Sequence, residues 1–498
     1  MSHSIGRREF LTEGLFAATA LAPASGLLLR ATDWLRLDSG FTPQKIIVIG
    51  AGLAGLSAAY ELTEAGHEVT VLEARARPGG RVHTLREPFA DGLHAEAGAG
   101  RIPDNHAFTL RYAKLFGLAL DPFYPASLAH TFHIAGQRFQ VPPGGDLDLT
   151  GVPMALTPAE RKLGLAGLWR RYVTPVLPEI GDPTAPGWPP QSLRKFDRVT
   201  FAGFLKAQGA SPAATALLEM PFDQPDDDRL SALWWLRDTA LTQGEQTRYK
   251  IRGGNDLLPR AFAARLASRI RYGAAVTGIA HDQHSVRVAY TQAGIPQHAL
   301  GDFLVCAIPF SVLRTLEVSP AFSATKRRAV SELPYDSVTR VYLQVRRRYW
   351  EQSGLNGFGI TDLPEEIWHG TFDQSGPRAI LTSYMFGPQA RRVAAMEPDR
   401  RVAFMIDHVE DVFPGLREHV ELGTSWSWDE EPWSRGAYAI FEPGQFFSLL
   451  PHVARPEARI HFAGEHTSAW HGWMQGALES GNRVAREIQA AVAPSASR

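Results

Sequence analysis

The stretch KIIVIGAGLAGLSAAYELTEAGHEVTVLEA, residues 45–74, constrains this chain more than any other. KIIVI is a continuous apolar run, the pattern of a strand buried on both faces. Gly50, Gly52 and Gly55 follow in G-x-G-x-x-G spacing and open a helix. In such a βαβ unit Gly50 makes the tight turn, Gly52 lets the backbone approach a pyrophosphate, and Gly55 lets the helix pack close to the strand. The helix N-terminus offers free N–H groups and partial positive charge to the anion. HEVTVLEA is the second strand and ends in Glu73, 18 residues past Gly55. A carboxylate there accepts from both ribose hydroxyls and repels a 2′-phosphate, which disfavours NADP. The unit by itself leaves FAD and NAD open.

The 498 residues suffice for two or three domains. A net charge of −1 gives no field favouring nucleic acid or an anionic membrane. The single cysteine, Cys306, lies in the apolar run FLVCAIP and reads as a small buried hydrophobe. GRREFL at 6–11 and the apolar GLFAATALAPASGLLL at 14–29 look like a twin-arginine export signal spanning 1–30, with a disordered terminus as the plain alternative. No later segment has 18 consecutive apolar residues, so the mature form is expected not to span a membrane, and to be periplasmic or extracellular.

RARPGGRVHT at 75–84 follows the acidic strand directly. Its glycine pair and its arginines Arg75 and Arg81 make a loop able to fold back over a pyrophosphate and reach along an extended cofactor. This stretch resembles the flavin amine oxidase family, whose members carry such a di-glycine loop there. A second block, ARIHFAGEHTSAWHGWMQGALESGNRVAREI at 458–488, resembles that family's C-terminal motif. The resemblance implies bound FAD, with Glu465 on its ribityl or ribose and a helix N-terminus near Gly472 aimed at the flavin ring. It further implies cofactor contacts at Ala54, Gly55, Ala74, Arg75, Gly80, Arg81, Gly98, Ala99, Gly100, Gly464, Trp473 and Met474, and at Val276 in AAVTGI near the adenine end. TSAWHG has no cysteine where some relatives bind flavin covalently, so FAD is expected to be non-covalent. His466 and His471 without a third ligand fall short of a zinc site, so no metal is expected.

EAGAGRIPDNHAF, from residue 96, resembles the L-amino acid oxidase branch, in which an arginine before a proline grips the substrate carboxylate. By that match Arg101 is the clamp, its planar fork suited to a carboxylate. The plain alternative is that Arg101 pairs with Glu96 or caps the turn before Pro103. The same resemblance makes the Gly472 carbonyl the amine acceptor, with Trp473 and Tyr438 as pocket walls. Trp368 and His369 stand where relatives carry a carboxylate-binding tyrosine. In YDSVTRVYLQVRRRYWE, Arg340 takes the place of a lysine that holds a water at flavin N5; Arg346 to Arg348 read as a solvated face. The acidic DQPDDD at 223–228 reads as a loop.

The expected fold is α/β: a three-layer, discontinuous, Rossmann-like FAD-binding domain (43–92, 248–320, 455–493), a mixed-sheet substrate domain (93–150, 321–454) and a helical insertion (151–247). The implied activity is oxidation of an L-amino acid to a 2-oxo acid, ammonia and hydrogen peroxide, with dioxygen as acceptor and a homodimer as a common assembly. Two other activities stay open: oxidation of an amine without a carboxylate, and a dehydrogenase using another electron acceptor.

Overall fold

In the computed structural model, residues 42–220, 229–363 and 366–492 are described. The export-signal reading at 1–30 and the acidic stretch at 223–228 lie outside them. Five parallel strands form the first sheet, in the order Ile270–Arg271, Glu68–Leu72, Lys45–Ile49, Phe303–Cys306 and Ile460–Phe462. Period-two alternation divides their side chains between two layers. Ile46, Val48, Val69, Val71, Phe303 and Val305 face the helices Leu53–Glu64 and Met474–Val492. Ile47, Ile49, Leu72, Leu304 and Cys306 pack in the core that includes Ile279, Val286 and Val288 of a second sheet. That sheet runs Ile295–Gly301, Val286–Gln292, Ala274–His281 and Glu317–Ser319. Continuous apolar runs are therefore required: every central-strand residue except Lys45 is buried.

The two helices touch closely because Gly481 has no side chain. A Cβ there would sit 2.4 Å from the Ala54 carbonyl oxygen and 2.1 Å from Ser57 Oγ. Gly481 thus serves helix–helix packing.

A seven-stranded sheet forms the second large layer, in the order Val420–Ser427, Val338–Val345, Ala379–Phe386, Glu366–Trp368, Leu355–Thr361, Ala129–Ile134 and Gln137–Val141. Val341, Leu343, Leu381 and Met385 pack against the helices Gly387–Ala394 and Pro398–Val412. The alternate residues Val338, Arg340, Tyr384, Phe386 and Trp368 line a cavity on the other face. Register puts Arg340 opposite Tyr384, and Tyr384 opposite Glu366, in one row across three strands.

A small sheet of Ile102–Pro103, Arg248–Ile251 and Leu120–Pro122 fixes the backbone just after residue 101. The strand in YKIRGG, grouped above with the cofactor domain, pairs here with the 93–150 segment instead. Arg348 also departs from the solvated face expected of it. It donates to the carbonyls of Phe372, Thr371 and Gln374 at 2.9, 3.1 and 2.7 Å and so pins a loop.

Candidate active site

The carboxyl ends of the parallel strands open onto one cavity, where α/β folds of this kind place ligands. Gly50 turns out of the strand at φ +97°, a conformation that strains any residue with a Cβ. Gly52 is the N-cap of Leu53–Glu64, without a side-chain capping bond, and a Cβ built on it meets nothing within 4 Å. The first-turn N–H groups therefore border open cavity, a ready anion site. Gly55 behaves differently: it does not line the cavity, and its Cβ would fall 2.0 Å from the Gly50 carbonyl oxygen. The cofactor contact assigned to Gly55 is corrected accordingly; its role is strand–helix packing.

Glu73 is buried at the next strand end. It accepts from the Ala51 and Arg75 amides at 2.6 and 2.8 Å, and burial raises its pKa against those bonds. The Ala274 amide donates to the Glu73 carbonyl at 2.8 Å, which brings Val276 to the same wall. Ala54, Ala74, Gly80, Gly98, Ala99, Gly100, Gly464, Trp473 and Met474 also line the cavity. Arg75 turns to Glu431 at 3.2 Å and to Ser434 Oγ at 3.0 Å. Arg81 donates from Nη1 to Glu465 at 2.7 Å and to the Ala437 carbonyl at 2.8 Å. Glu465 accepts further from Gly472 N at 2.9 Å and Ala439 N at 3.3 Å, so one carboxylate ties three chain segments at the cavity wall. The long C-terminal helix begins at Met474, two residues beyond the expected Gly472. A glycine turn, an uncapped helix start, a buried acid and a second helix start on one cavity fit a dinucleotide.

Arg101 lines the same cavity. The Asn255 amide nitrogen holds the carbonyls of Ala99 and Gly100 at 2.9 and 3.0 Å, which sets the approach. The partner of Arg101 is Glu366, not Glu96. Nη1 reaches Glu366 at 3.2 and 3.4 Å and the Tyr124 hydroxyl at 3.4 Å. The guanidinium lies 4.8 Å from the centre of the Trp368 ring, and Trp368 Nε1 donates to Glu366. Burial opposes the charge on Arg101, but the Glu366 carboxylate outweighs it and the pKa lies above its ordinary value. Glu96 instead accepts from the Thr84 hydroxyl and from the Asn255 backbone N–H, and burial pushes it up to about 7.

Arg340 stands beside this pair. Nη1 donates to the carbonyls of Glu96 and Gly98 at 2.6 and 2.7 Å, and the guanidinium stacks on Tyr384 at 4.2 Å and Trp368 at 4.8 Å. Gly472 and Tyr438 line the cavity as well. His369 does not: it is buried behind the sheet, with Nδ1 on the Asn356 carbonyl at 3.0 Å and its ring edge-on to Trp350. Residue parity explains it, since neighbours of Trp368 along the strand point the other way. Burial lowers the His369 pKa to about 3.

The sequence reading missed Glu366, Tyr124 and Tyr384, and it missed Trp234, Trp235 and Asp238 of the helix Ala232–Leu241, which also line the cavity. The double tryptophan followed by an acid in WWLRD was the available signal.

The fold and this cavity define a dinucleotide-binding protein of the α/β class. The chain matches the family model for flavin containing amine oxidoreductase over residues 53–489, and it belongs to that family. It is 35% identical over 469 residues to YobN of Bacillus subtilis (strain 168), covering 91% of this chain and 96% of that one. It is 29% identical over 473 residues to the L-amino-acid oxidase of Demansia vestigiata, covering 93% and 89%. Putrescine oxidase bound to putrescine superposes with a TM-score of 0.77 at 21% identity, covering 90% of this chain and 99% of that one. Cyclohexylamine oxidase from Brevibacterium oxydans IH-35A gives 0.77 at 21%, covering 91% and 100%. The enzyme is thus L-amino acid oxidase-like in sequence and shares its fold with amine oxidases.

Proposed function

We propose that this enzyme oxidises an L-α-amino acid to the imino acid, which water hydrolyses to a 2-oxo acid and ammonia, with dioxygen as acceptor of the two electrons and two protons and hydrogen peroxide as its product. The carrying observation is Arg101 in the cavity wall. Every hydrogen bond it makes among the described residues leaves from Nη1, so Nε and Nη2 remain as a fork for a ligand carboxylate. FAD bound here without a covalent link would supply the two-electron acceptor for the Cα hydride. Gly50, Gly52, Glu73 and Gly80 would hold its dinucleotide part, and Gly472, Trp473 and Met474 its ring end. Arg101 fixes the carboxylate and thereby the direction of the Cα–H bond, and such positioning supplies much of the catalysis. The Gly472 carbonyl accepts from the amine. Trp368, Tyr438 and Trp473 exclude water. Arg340 keeps a positive charge beside Gly98. No side chain needs to act as base when the amine enters neutral. The resemblance to enzymes named L-amino-acid oxidases supports this reading. Export by the twin-arginine route belongs to the same proposal and rests on residues 1–30.

A second reading, oxidation of an amine lacking a carboxylate, is favoured by one observation: Glu366 already neutralises Arg101. Anaerobic stopped-flow reduction of the purified holoenzyme across the twenty amino acids and their decarboxylated amines tests both. Faster bleaching by the amino acids is expected; bleaching by the amines alone would reverse the assignment.

A further inference from the structure

One cavity-lining carboxylate has no part in the reaction just described. Helix Ala232–Leu241 presents Trp234 and Asp238, four residues apart and so on one face, with Trp235 beside them. Asp238 Oδ1 accepts from Trp473 Nε1 at 3.0 Å and from Arg237 Nη2 at 3.4 Å. Oδ2 carries no hydrogen bond among the described residues, and the side chain keeps 12% exposure. Arg237 is fully buried behind it, at 0%, against the Trp234 ring at 5.2 Å and His471. Because Arg237 does not line the cavity, a ligand meets the carboxylate first. Trp473 donates to that carboxylate, and Trp234 and Trp235, one helical turn before it, line the cavity with it.

An acid among aromatic rings recognises an organic cation: Coulomb attraction is strengthened away from bulk water, and the ring faces add cation–π attraction. A neutral aliphatic side chain would leave the Oδ2 acceptor desolvated and unpaired, which costs free energy. We propose that Asp238 is a specificity residue that receives a cationic group on the substrate side chain, so that the preferred substrates are basic amino acids. This rests on the amino acid reading above. Arg101 and Asp238 then make two anchors of opposite sign, for the α-carboxylate and for the side-chain cation. Arg237 offsets part of the charge, but it is turned inward onto His471 and holds Asp238 in place.

The test compares lysine with norleucine, its near-isostere without the ammonium, in holoenzyme and in Asp238→Asn. The amide keeps an acceptor for Trp473 Nε1 and removes the charge. Wild-type kcat/KM is expected to favour lysine by about tenfold or more, and D238N to lower that ratio by about tenfold, the scale of one lost charged contact, with FAD content and the visible spectrum unchanged. An unaltered ratio in D238N, a wild-type preference for norleucine, or loss of FAD from D238N would overturn the assignment. Binding to wild type alone gives a readout independent of the variant. Flavin difference spectra should show ε-aminocaproate binding at least about tenfold tighter than caproate, and equal affinities would overturn it. The same discrimination between cadaverine and pentylamine, with lysine not oxidised, would uphold the cation site while refuting the amino acid reading.

Discussion

Arg101 is both an ion-pair partner and a proposed ligand clamp, and the two roles separate in a double-mutant cycle with Glu366. Arg101→Met strands the Glu366 carboxylate, whose side chain is 9% exposed. Removing one partner of a buried pair costs about 3–5 kcal/mol. At about 2.1 cal/mol/K per residue, the unfolding entropy of a chain this long makes 1 kcal/mol worth about 1 °C, so the thermal midpoint should fall by about 3–5 °C. Glu366→Gln strands Arg101 to a similar extent while keeping an acceptor for Trp368 Nε1. The double variant R101M/E366Q leaves no unpaired charge and should return to within about 2 °C of the native midpoint. Turnover should not return with it. Two charge-assisted hydrogen bonds to a substrate carboxylate are worth about 1.5–3 kcal/mol each, so kcat/KM for amino acids should stay down by at least about a hundredfold. Scanning calorimetry reads the first quantity and anaerobic flavin reduction the second, with the decarboxylated amine as control. If the double variant regains amino acid oxidation along with stability, Arg101 is a structural ion and the clamp argument fails.

Three further outcomes follow from the geometry. Gly52→Val places a side chain in open cavity at an unstrained φ of −73° and should fold without FAD, whereas Gly55→Ala drives a Cβ into the Gly50 carbonyl and should fail to fold; native-like circular dichroism of G55A, or full FAD occupancy in G52V, would contradict the two roles. Arg340→Met removes the donor to two carbonyls and the positive charge beside Gly98; reoxidation of reduced enzyme in air should slow more than anaerobic reduction does, and equal effects would argue for a purely structural Arg340. Glu96 has a folded-state pKa of about 7 against an ordinary 4.5, so between those values the folded form holds a proton that the unfolded form releases. Its contribution therefore falls as pH rises through that window, by about 3 kcal/mol in all. Glu96→Gln should flatten the stability curve there relative to wild type, and parallel curves would show that Glu96 does not titrate in it.

The nucleotide half of the molecule was legible because its signals are local. An apolar run, three glycines and an acid within thirty residues fix a strand, a turn, a helix and a second strand. The motif already divides the glycines by role, and packing bears the division out: Gly52 borders the cavity, whereas Gly55 has no room for a methyl. The substrate half depends on register. Glu366 lies 265 residues from Arg101, and whether it or its neighbours face the cavity depends on strand parity that no sequence period in PEEIWHG reveals. The row Arg340, Tyr384, Glu366 exists only after three strands have paired, and the same parity removes His369 from the site. Asp238 was hidden differently: an acid in a helical segment reads as a solvated residue until the helix is seen to be buried nearly all round, with a cavity beside it.

The charges of the cavity bear on what Arg101 can contribute. Its own charge is cancelled at 3.2 Å by Glu366. Arg340 is held by carbonyls and makes no ion pair among the described residues; the Glu96 carboxyl, which feels its charge, is lifted by burial to about 7 and so is only partly ionised at neutral pH. The uncompensated positive charge on this wall therefore belongs to Arg340. What Arg101 adds is direction: with Nη1 fixed by Glu366 and the ring of Trp368 beneath it, the remaining edge points one way. Lysine would keep the charge and the ion pair but has no second edge to offer a carboxylate. Arg101→Lys should accordingly keep nearly native stability and still lose amino acid turnover to within about tenfold of Arg101→Met, since the fork rather than the charge is what is removed. A lysine variant that oxidises amino acids at close to the native kcat/KM would show that a point charge suffices, and the directional argument would fall.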